Sequence, residues 1–180
     1  VNLRPTAPCL GSRVRDDGSV GPYEWQTYTQ TASRVDAVAA GLWKLDLVSM
    51  APDGRRFLGF FLKNCRDWMV GAVACYKTGV TVVPMYDTLG PETVAYIQQQ
   101  TLTTTAVCTA AELPKLLKEC PFATVVVTGP VPAELLARAK GSTAFRTILF
   151  SELEEIGMAN LDLLASVPAP DPADLAMLCY

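Results

Sequence analysis

Carboxylates near the predicted ends of strands are the residues of this sequence best placed for acid–base chemistry. Asp67 and Asp87 lie nearest to such ends, and a carboxylate can act as a general acid or base when a substrate proton comes within hydrogen-bond reach. Asp67 also falls in the first turn of a predicted helix, where a capping role is favoured. Asp87 precedes Pro91 and is expected to cap the turn there or to contact a ligand, with the structural role favoured. We therefore assign neither residue a catalytic role.

A phosphate-binding loop is the second kind of site that the sequence could contain. Such a loop needs glycines and free backbone N–H groups at the start of a helix, often with a lysine. Neither the Walker pattern nor the Gly-x-Gly-x-x-Gly pattern occurs. Thr128-Gly129-Pro130 follows a predicted strand and could form a small anion nest, but Pro130 lacks the N–H that an anion needs. A turn into the next helix is the favoured interpretation.

The other candidate residues are expected to have structural roles. Tyr86 could stack on a ligand, but an aromatic residue between a strand and a helix usually belongs to the core. The tryptophans are expected to anchor packing rather than to form a binding platform: Trp25, Trp43 and Trp68. Three glutamates are expected to form a solvated helix face: Glu152, Glu154 and Glu155.

The cysteine and histidine content argues against a metal site. The sequence contains no histidine, which excludes a His-based triad and leaves almost no basis for a zinc site. None of the six cysteines forms a Cys-x-x-Cys pair: Cys9, Cys65, Cys75, Cys108, Cys120 and Cys179. Several lie in apolar runs, where free cysteine behaves as a small hydrophobic residue. This usage indicates a reducing, intracellular compartment.

Composition and charge limit the protein class. A chain of 180 residues is long enough to bury a substantial core. Its content of 50% hydrophobic and 18% charged residues lies outside the range of disordered chains. The net charge of −3 and the scattered basic residues give no reason to expect a nucleic-acid partner. No apolar run approaches the ~20 residues that span a bilayer, and no segment has the pattern of a signal peptide.

Helical and strand patterns alternate along the chain. Thr27 and Gln30 have the spacing of a capping box at the start of the first helix, and Asn64 with Asp67 repeats that spacing more weakly. Consecutive apolar residues at 57–62 indicate a strand that is covered on both faces. Further strands are predicted at 80–83, 105–108, 124–127 and 147–150, and helices at 91–100, 110–120 and 132–140. This alternation predicts an α/β fold with a mostly parallel sheet and helices on both faces.

The expected organisation has four segments. Residues 1–24 are rich in Pro and Gly and are expected to be irregular, with a charged turn at 13–17. Residues 25–158 should form the α/β subdomain, and 159–174 a Pro- and Ala-rich connection. Residues 175–180 read as a buried strand that is cut off at its C-terminal end. An exposed strand edge can pair with another chain, so self-association is expected.

The order and spacing of several short motifs resemble a known family. The motifs are Leu10-Gly11-Ser12-Arg13, Tyr23-Glu24-Trp25-Gln26-Thr27-Tyr28, Ala40-Gly41-Leu42, Lys63-Asn64-Cys65-Arg66-Asp67-Trp68, Val83-Pro84-Met85-Tyr86-Asp87-Thr88-Leu89-Gly90 and Asp174-Leu175-Ala176-Met177-Leu178-Cys179-Tyr180. Together they are similar to the N-terminal third of a long-chain fatty acyl-CoA synthetase, in the AMP-forming, adenylate-making superfamily. The Tyr-Asp-Thr-Leu-Gly stretch is the most specific, and the resemblance covers residues 10–180.

The resemblance implies an enzyme that makes an acyl-adenylate from ATP and a long-chain fatty acid and then transfers the acyl group to coenzyme A. It implies ATP, Mg²⁺ and coenzyme A for the parent protein, and a cytoplasmic location or peripheral attachment to an organelle membrane. In such enzymes the strand matching 175–180 leads into the phosphate loop, and the nucleotide-binding motifs and catalytic lysine follow it. No catalytic, cofactor-binding or metal-binding residue is therefore carried over, and the chain alone is expected to be inactive and to bind no cofactor tightly.

The sequence is also compatible with two other functions. The alternating elements are also typical of a self-contained α/β module that binds a nucleotide or another small molecule, although a glycine-rich first turn is missing. A non-catalytic interaction domain is the third interpretation. The residues by themselves, without the resemblance, indicate an α/β domain with no internal active site.

Overall fold

The centre of the fold is a parallel sheet of five strands, seen in a computed structural model that describes residues 4–15, 17–86 and 91–180. The strands are β3 (Arg56–Phe61), β4 (Val80–Pro84), β5 (Thr105–Thr109), β6 (Thr124–Thr128) and β7 (Arg146–Leu149). Their order in the sheet is β4-β3-β5-β6-β7. Two earlier strands, β1 (Pro8–Val14) and β2 (Val20–Thr27), form a separate antiparallel hairpin.

Helices cover both faces of this sheet, which confirms the predicted α/β class. They are α1 (Tyr28–Lys44), α2 (Arg66–Lys77), α3 (Pro91–Thr101), α4 (Leu113–Lys118), α5 (Ala133–Lys140) and α6 (Phe150–Met158). Alternate residues of β3 enter two separate cores: Leu58 and Phe60 pack with α1, α2 and α6, whereas Phe57 and Phe61 pack with α3, α4 and α5. Burial on both faces explains why β3 is apolar at consecutive positions.

Helix α1 begins at the capping box that its sequence predicts. The Thr27 hydroxyl accepts a hydrogen bond from the backbone N–H of Gln30, and the Gln30 side chain accepts one from the Thr27 N–H at 2.8 Å. Two N–H groups without an intrahelical partner are thereby satisfied. The cap fixes the point where the hairpin passes into α1.

Helices α1 and α6 cross unusually closely because glycines lie at the crossing. A Cβ atom on Gly157 would lie 1.7 Å from the Ala37 carbonyl oxygen, and one on Gly41 would lie 2.4 Å from the Leu153 carbonyl oxygen. Both neighbours are backbone atoms, so neither can move aside as a side chain would. This contact holds α6, and with it Glu154, against α1.

The N-terminal segment differs from expectation. Residues 1–24 were expected to be irregular, but β1 and β2 pair with Gly11 opposite Trp25 and Ser12 opposite Glu24. The tip is a turn in which Gly18 has a φ of 81° and the Asp17 carboxylate accepts the Ser19 N–H at 2.8 Å. Much of this hairpin is exposed, and register shifts interrupt its ladder, so the apolar alternation that reveals a strand is absent.

Three element boundaries also need correction. The cap of α2 is Cys65 rather than Asn64, and its Sγ accepts the Trp68 N–H at 3.4 Å. Helix α4 starts at Leu113 instead of 110, which leaves Pro114 in its first turn, where no N–H partner is lost. Phe150, predicted to end a strand, is the first residue of α6.

The C-terminal segment runs beside β4. Residues 175–180 were predicted to be a buried strand, but they form a single parallel bridge between Met177 and Val82. The Val82 N–H donates to the Ala176 carbonyl at 3.0 Å, and the Leu178 N–H donates to the Val82 carbonyl at 2.9 Å. A 3₁₀ helix, Leu161–Ser166, lies within the expected connection. Across the described residues, no helix has the length and apolar character that crossing a bilayer requires.

Candidate functional site

The strand order places a crevice at one edge of the sheet. From β3 the chain crosses to β4 on one side, whereas from β5 it continues to β6 on the other side. The connections that leave the carboxyl ends of β3 and β5 therefore diverge, which is the position where open α/β sheets bind ligands. The candidate site is built at this edge from the loops that follow β3, β5 and β6.

The β1–β2 hairpin closes this edge from outside and leaves a cleft of about 640 Å³. We call it the hairpin cleft. Its lining residues come from the hairpin, from the start of α2 and from the ends of β5 and β6: Leu10, Gly11, Ser12, Arg13, Arg15, Tyr23, Asn64, Cys65, Arg66, Asp67, Met69, Thr109, Thr128, Gly129 and Pro130. Its volume lies within the range of about 300–1,000 Å³ typical of small-molecule sites.

Arg34 of α1 binds two carboxylates, and one of them, Asp67, lines the hairpin cleft. Its Nη2 donates to Asp67 Oδ1 at 2.7 Å, and its Nε donates to Glu154 Oε1 at 2.6 Å. All three side chains are largely buried, with 21–23% of their surface exposed. Burial disfavours the charge on Arg34, but the bonds to Glu154 and Asp67 outweigh it and raise its pKa. Burial raises the pKa of Glu154, and Arg34 offsets part of that effect.

Two neutral side chains complete this group, which we call the Arg34 network: Gln26, Arg34, Asp67, Thr128 and Glu154. The Thr128 hydroxyl donates to Asp67 Oδ2, and Arg34 Nη1 donates to the side-chain amide oxygen of Gln26, Oε1, at 3.2 Å. Both oxygens of Asp67 are therefore engaged. The expected capping role of Asp67 is wrong, and its actual partners are a cation and a hydroxyl that hold it in place.

The three glutamates of α6 do not share one solvated face. Glu154 belongs to the Arg34 network, and Glu152 accepts from the Leu149 N–H at 2.9 Å and from Lys140 Nζ at 2.6 Å. The Leu149 N–H and then Lys140 lower the pKa of Glu152. Glu155 is exposed, as was expected of all three, and the Glu152 side chain is 39% exposed in its pair with Lys140.

A second cleft, of about 620 Å³, lies at the carboxyl ends of β3 and β4. We call it the Tyr86 cleft. Tyr86 is 54% exposed, so its expected place in the core is wrong. The lining is Phe60, Leu62, Lys63, Asn64, Trp68, Pro84, Met85, Tyr86 and Met177. Asp87, which follows Tyr86, lies outside the described residues.

The tryptophans divide between packing and surface. Trp68 packs on Phe60 with ring centroids 5.5 Å apart. The guanidinium carbon of Arg56 lies 4.5 Å from the centre of the Trp43 ring. Both agree with the expected packing role. Trp25 is 56% exposed and stacks on Tyr23 at 5.6 Å, so the expectation is wrong for Trp25.

Thr128-Gly129-Pro130 forms the predicted turn into α5, with Gly129 at a φ of 74°. The same turn lines the hairpin cleft. The cleft itself was missed because its outer wall is the unpredicted hairpin. Arg13 and Arg66 lie in motifs that resemble the acyl-CoA synthetases, which singles them out in the sequence, but only the fold brings them to one cavity.

Covalent or metal chemistry has little support within the described residues. They contain no group of three or more Cys, Asp or Glu side chains that could hold a metal ion. Desolvation raises the pKa of the Cys65 thiol, and complete or near-complete burial raises the pKa values of Cys75 and Cys108 well above their usual range. None of these thiols has the lowered pKa of an activated nucleophile.

Comparisons with known proteins agree with this architecture. The family model described as AMP-binding enzyme matches residues 3–180. The chain is 30% identical over 187 residues to human long-chain-fatty-acid–CoA ligase 1, covering 100% of this chain and 25% of that protein. It is 32% identical over 174 residues to the peroxisomal long chain acyl-CoA synthetase 6 of Arabidopsis thaliana, covering 95% of this chain and 24% of that protein. The chain thus spans about a quarter of the length of these relatives.

A solved structure shares the fold at low sequence identity. The A domain of the carboxylic acid reductase from Segniliparus rugosus superposes with a TM-score of 0.67 and 16% identity, over 97% of this chain and 30% of that one. That structure contains AMP and a co-purified carboxylic acid. At this identity the likeness concerns the arrangement of strands and helices.

Proposed function

The chain belongs to the AMP-binding enzyme family, and on that premise we propose that the whole protein is an AMP-forming long-chain fatty acid–CoA ligase. The observation that carries the proposal is the extent of the match to the ligases, which runs through 100% of this chain at 30% identity. The specific Tyr-Asp-Thr-Leu-Gly stretch lies inside that match. These residues would form the first α/β unit of the enzyme.

The proposed reaction has two balanced steps. A carboxylate oxygen of the fatty acid attacks the α-phosphorus of ATP, and the bond to the departing pyrophosphate breaks. The thiolate of coenzyme A then attacks the acyl carbon, and AMP leaves as the thioester forms. Electrostatic stabilisation of the charge that develops on the phosphates is the main requirement of the first step.

The part proposed for this chain is to support the site rather than to carry the chemistry. Both oxygens of Asp67 are engaged, and the described residues contain no group of three or more Cys, Asp or Glu side chains that could hold a metal ion. We therefore assign no catalytic residue and no Mg²⁺ ligand to this chain, and we propose that it catalyses neither step by itself. Its contribution is a rigid sheet edge, held by the Arg34 network and by the α1–α6 crossing.

The proposal extends to partners and location. The substrate is a long-chain fatty acid, and attachment to an organelle membrane would be peripheral. All six cysteines are free, which supports a reducing compartment, in the cytoplasm or at an organelle surface. The edge strand β7 has one side of its ladder unpaired in the sheet order, which supports self-association of the isolated chain.

Pyrophosphate exchange tests the first step without coenzyme A. The full-length protein is incubated with ATP, Mg²⁺, labelled pyrophosphate and a long-chain fatty acid. Label should enter ATP only when the fatty acid is present, because the exchange requires reversible acyl-adenylate formation. Reactions with the matching fatty alcohol serve as the control, since the alcohol has no carboxylate. Absence of fatty-acid-dependent exchange would overturn the proposal.

A further inference from the structure

The hairpin cleft has an excess of positive charge. Three arginines line it, namely Arg13, Arg15 and Arg66, and Asp67 is the one acidic residue among its lining residues. Asp67 is already neutralised by Arg34 at 2.7 Å. Arg15 forms an exposed ion pair with Glu24 at 3.4 Å. Two cations, Arg13 and Arg66, therefore remain without a carboxylate partner in the described part of the chain.

Arg66 is the more informative of these two residues. It is the first residue of α2, directly after the loop that leaves the carboxyl end of β3, and it is partly buried. The other arginines near it, Arg15 and Arg34, form ion pairs, whereas Arg66 has no ion pair or side-chain hydrogen bond with any described residue. An arginine that is partly buried, lines a cleft and has no ion pair with a described residue is suited to bind an oxyanion, through two parallel N–H···O bonds.

The hairpin adds a second cation, Arg13, and an aromatic ring, Tyr23, to the lining of the cleft. The Arg13 Nε donates to the Gly21 carbonyl at 3.0 Å, which fixes the side chain, and its guanidinium carbon lies 5.9 Å from the centre of the Tyr23 ring. Tyr23 is 60% exposed. At Gly129 a Cβ atom would have no neighbour within 4 Å, so the space above this turn is open to a ligand.

From this arrangement we propose that the hairpin cleft binds a phosphate-bearing small molecule, with the phosphate oxygens held between Arg66 and Arg13 and the remainder against Tyr23. The two cations come from elements far apart in sequence, α2 and the hairpin, and a ligand would tie these elements together. The inference does not depend on ligase activity, because its residues are not those of the proposed reaction.

Hydrogen exchange measured by mass spectrometry on the full-length protein tests this site by location. The probes are inorganic pyrophosphate, ADP and adenosine. Pyrophosphate and ADP should slow amide exchange in residues 10–15 and 128–130, and adenosine should not, because it lacks the phosphate. Titrating the protection of these segments gives an apparent Kd for this site, separate from any site elsewhere.

Two substitutions test whether Arg66 and Arg13 bind the phosphate. Arg66→Gln and Arg13→Gln should each raise this Kd by about tenfold or more, as expected for loss of a charge-assisted hydrogen bond. Arg55→Gln is the matched control, since Arg55 pairs with Asp53 on the surface and should leave the Kd unchanged. Because the two test residues lie on different elements, misfolding of one variant still leaves the other to decide.

The result that overturns the proposal is a lack of protection at residues 10–15 and 128–130 with both phosphate probes. Equal protection by adenosine would overturn it as well, and so would an unchanged Kd in the folded arginine variants. The pyrophosphate-exchange assay reports on the ligase proposal independently. A protein that is inactive in exchange but protected in the hairpin cleft would refute the ligase and retain the site.

Discussion

Arg34 of α1 donates a 2.7 Å hydrogen bond to Asp67 at the start of α2, 33 positions further along the chain, and this ion pair joins the two helices. The same guanidinium reaches Glu154 of α6, and Asp67 accepts from Thr128 at the end of β6. One cation thereby fixes three helices and a strand at the carboxyl edge of the sheet. Its removal should disturb the candidate site and the stability of the chain together.

The first prediction concerns this cation. Arg34→Met keeps most of the side-chain volume but leaves Asp67 and Glu154 largely buried without a counter-charge. Removing one partner of a buried ion pair is strongly destabilising, so we expect a loss of about 2 kcal/mol or more in the free energy of unfolding. Urea titration followed by circular dichroism measures it.

Lys140→Met is the matched control for Arg34→Met. Lys140 pairs with Glu152, but both side chains are about 40% exposed, and exposed pairs contribute roughly 0–1 kcal/mol. A loss for Arg34→Met no larger than that of Lys140→Met would contradict the structural role given to the Arg34 network.

The second prediction concerns the crossing of α1 and α6. Gly157→Ala places a methyl group 1.7 Å from the Ala37 carbonyl oxygen, so the helices must separate. We expect destabilisation of about 3 kcal/mol, at the upper end of the range for overpacking, with a matching fall in the urea midpoint. Gly141→Ala is the control, because its Cβ would lie 3.3 Å from the nearest atom. Equal midpoints for the two variants would rule out the close crossing.

Local chemistry predicted most of the sheet and its helices. The apolar run at 57–62 predicted the strand that is covered on both faces, and the spacing of Thr27 and Gln30 predicted the start of α1. Both were predictable because burial on two faces and a capping box each produce a local sequence pattern. The hairpin was missed because its strands are exposed and contain Pro8 and Gly11. The contacts of a two-stranded ribbon of this kind leave little apolar periodicity.

The candidate site was less predictable because its contacts are long-range. Glu154 looked like a surface residue, and only the close α1–α6 crossing brings it to Arg34, 120 positions away. Cys65 replaces Asn64 as the cap of α2, although asparagine is the stronger capping residue by propensity. Tertiary packing determines the contacts of Glu154 and the capping residue of α2, and no local sequence pattern reports on that packing.

The third prediction concerns thiol reactivity. Burial raises the pKa values of Cys75 and Cys108 far above their usual range, so the reactive thiolate is almost absent at neutral pH. The exposed Cys179 should be alkylated first by iodoacetamide at pH 8, and Cys75 and Cys108 last. Peptide mass spectrometry over a time course gives the order. Alkylation of Cys75 in folded protein at the rate of Cys179 would contradict the buried position.

The fourth prediction concerns pH. The Leu149 N–H and Lys140 lower the pKa of Glu152 below the usual 4.5. A carboxylate with a lowered pKa in the folded state stabilises the protein above its unfolded pKa, and this contribution is lost as the pH falls through the folded pKa. The stability difference between wild type and Glu152→Gln should therefore be present at pH 6 and shrink below about pH 4.5.

Urea titrations at several pH values measure the Glu152 effect. Glu155→Gln is the control, because it removes a carboxylate from the same helix at an exposed position. A wild-type advantage over Glu152→Gln that stays constant from pH 6 to pH 3 would show that the ionised carboxylate is not the source of the stabilisation.

The most direct test of the central claim is product stoichiometry in the full-length protein. With ATP, Mg²⁺, coenzyme A and a long-chain fatty acid, the proposed reaction predicts acyl-CoA, AMP and pyrophosphate in equal amounts, measured by chromatography and mass spectrometry. The omission of either the fatty acid or coenzyme A should abolish acyl-CoA formation. Formation of ADP and phosphate in place of AMP and pyrophosphate, or no thioester with any long-chain fatty acid, would contradict the assignment.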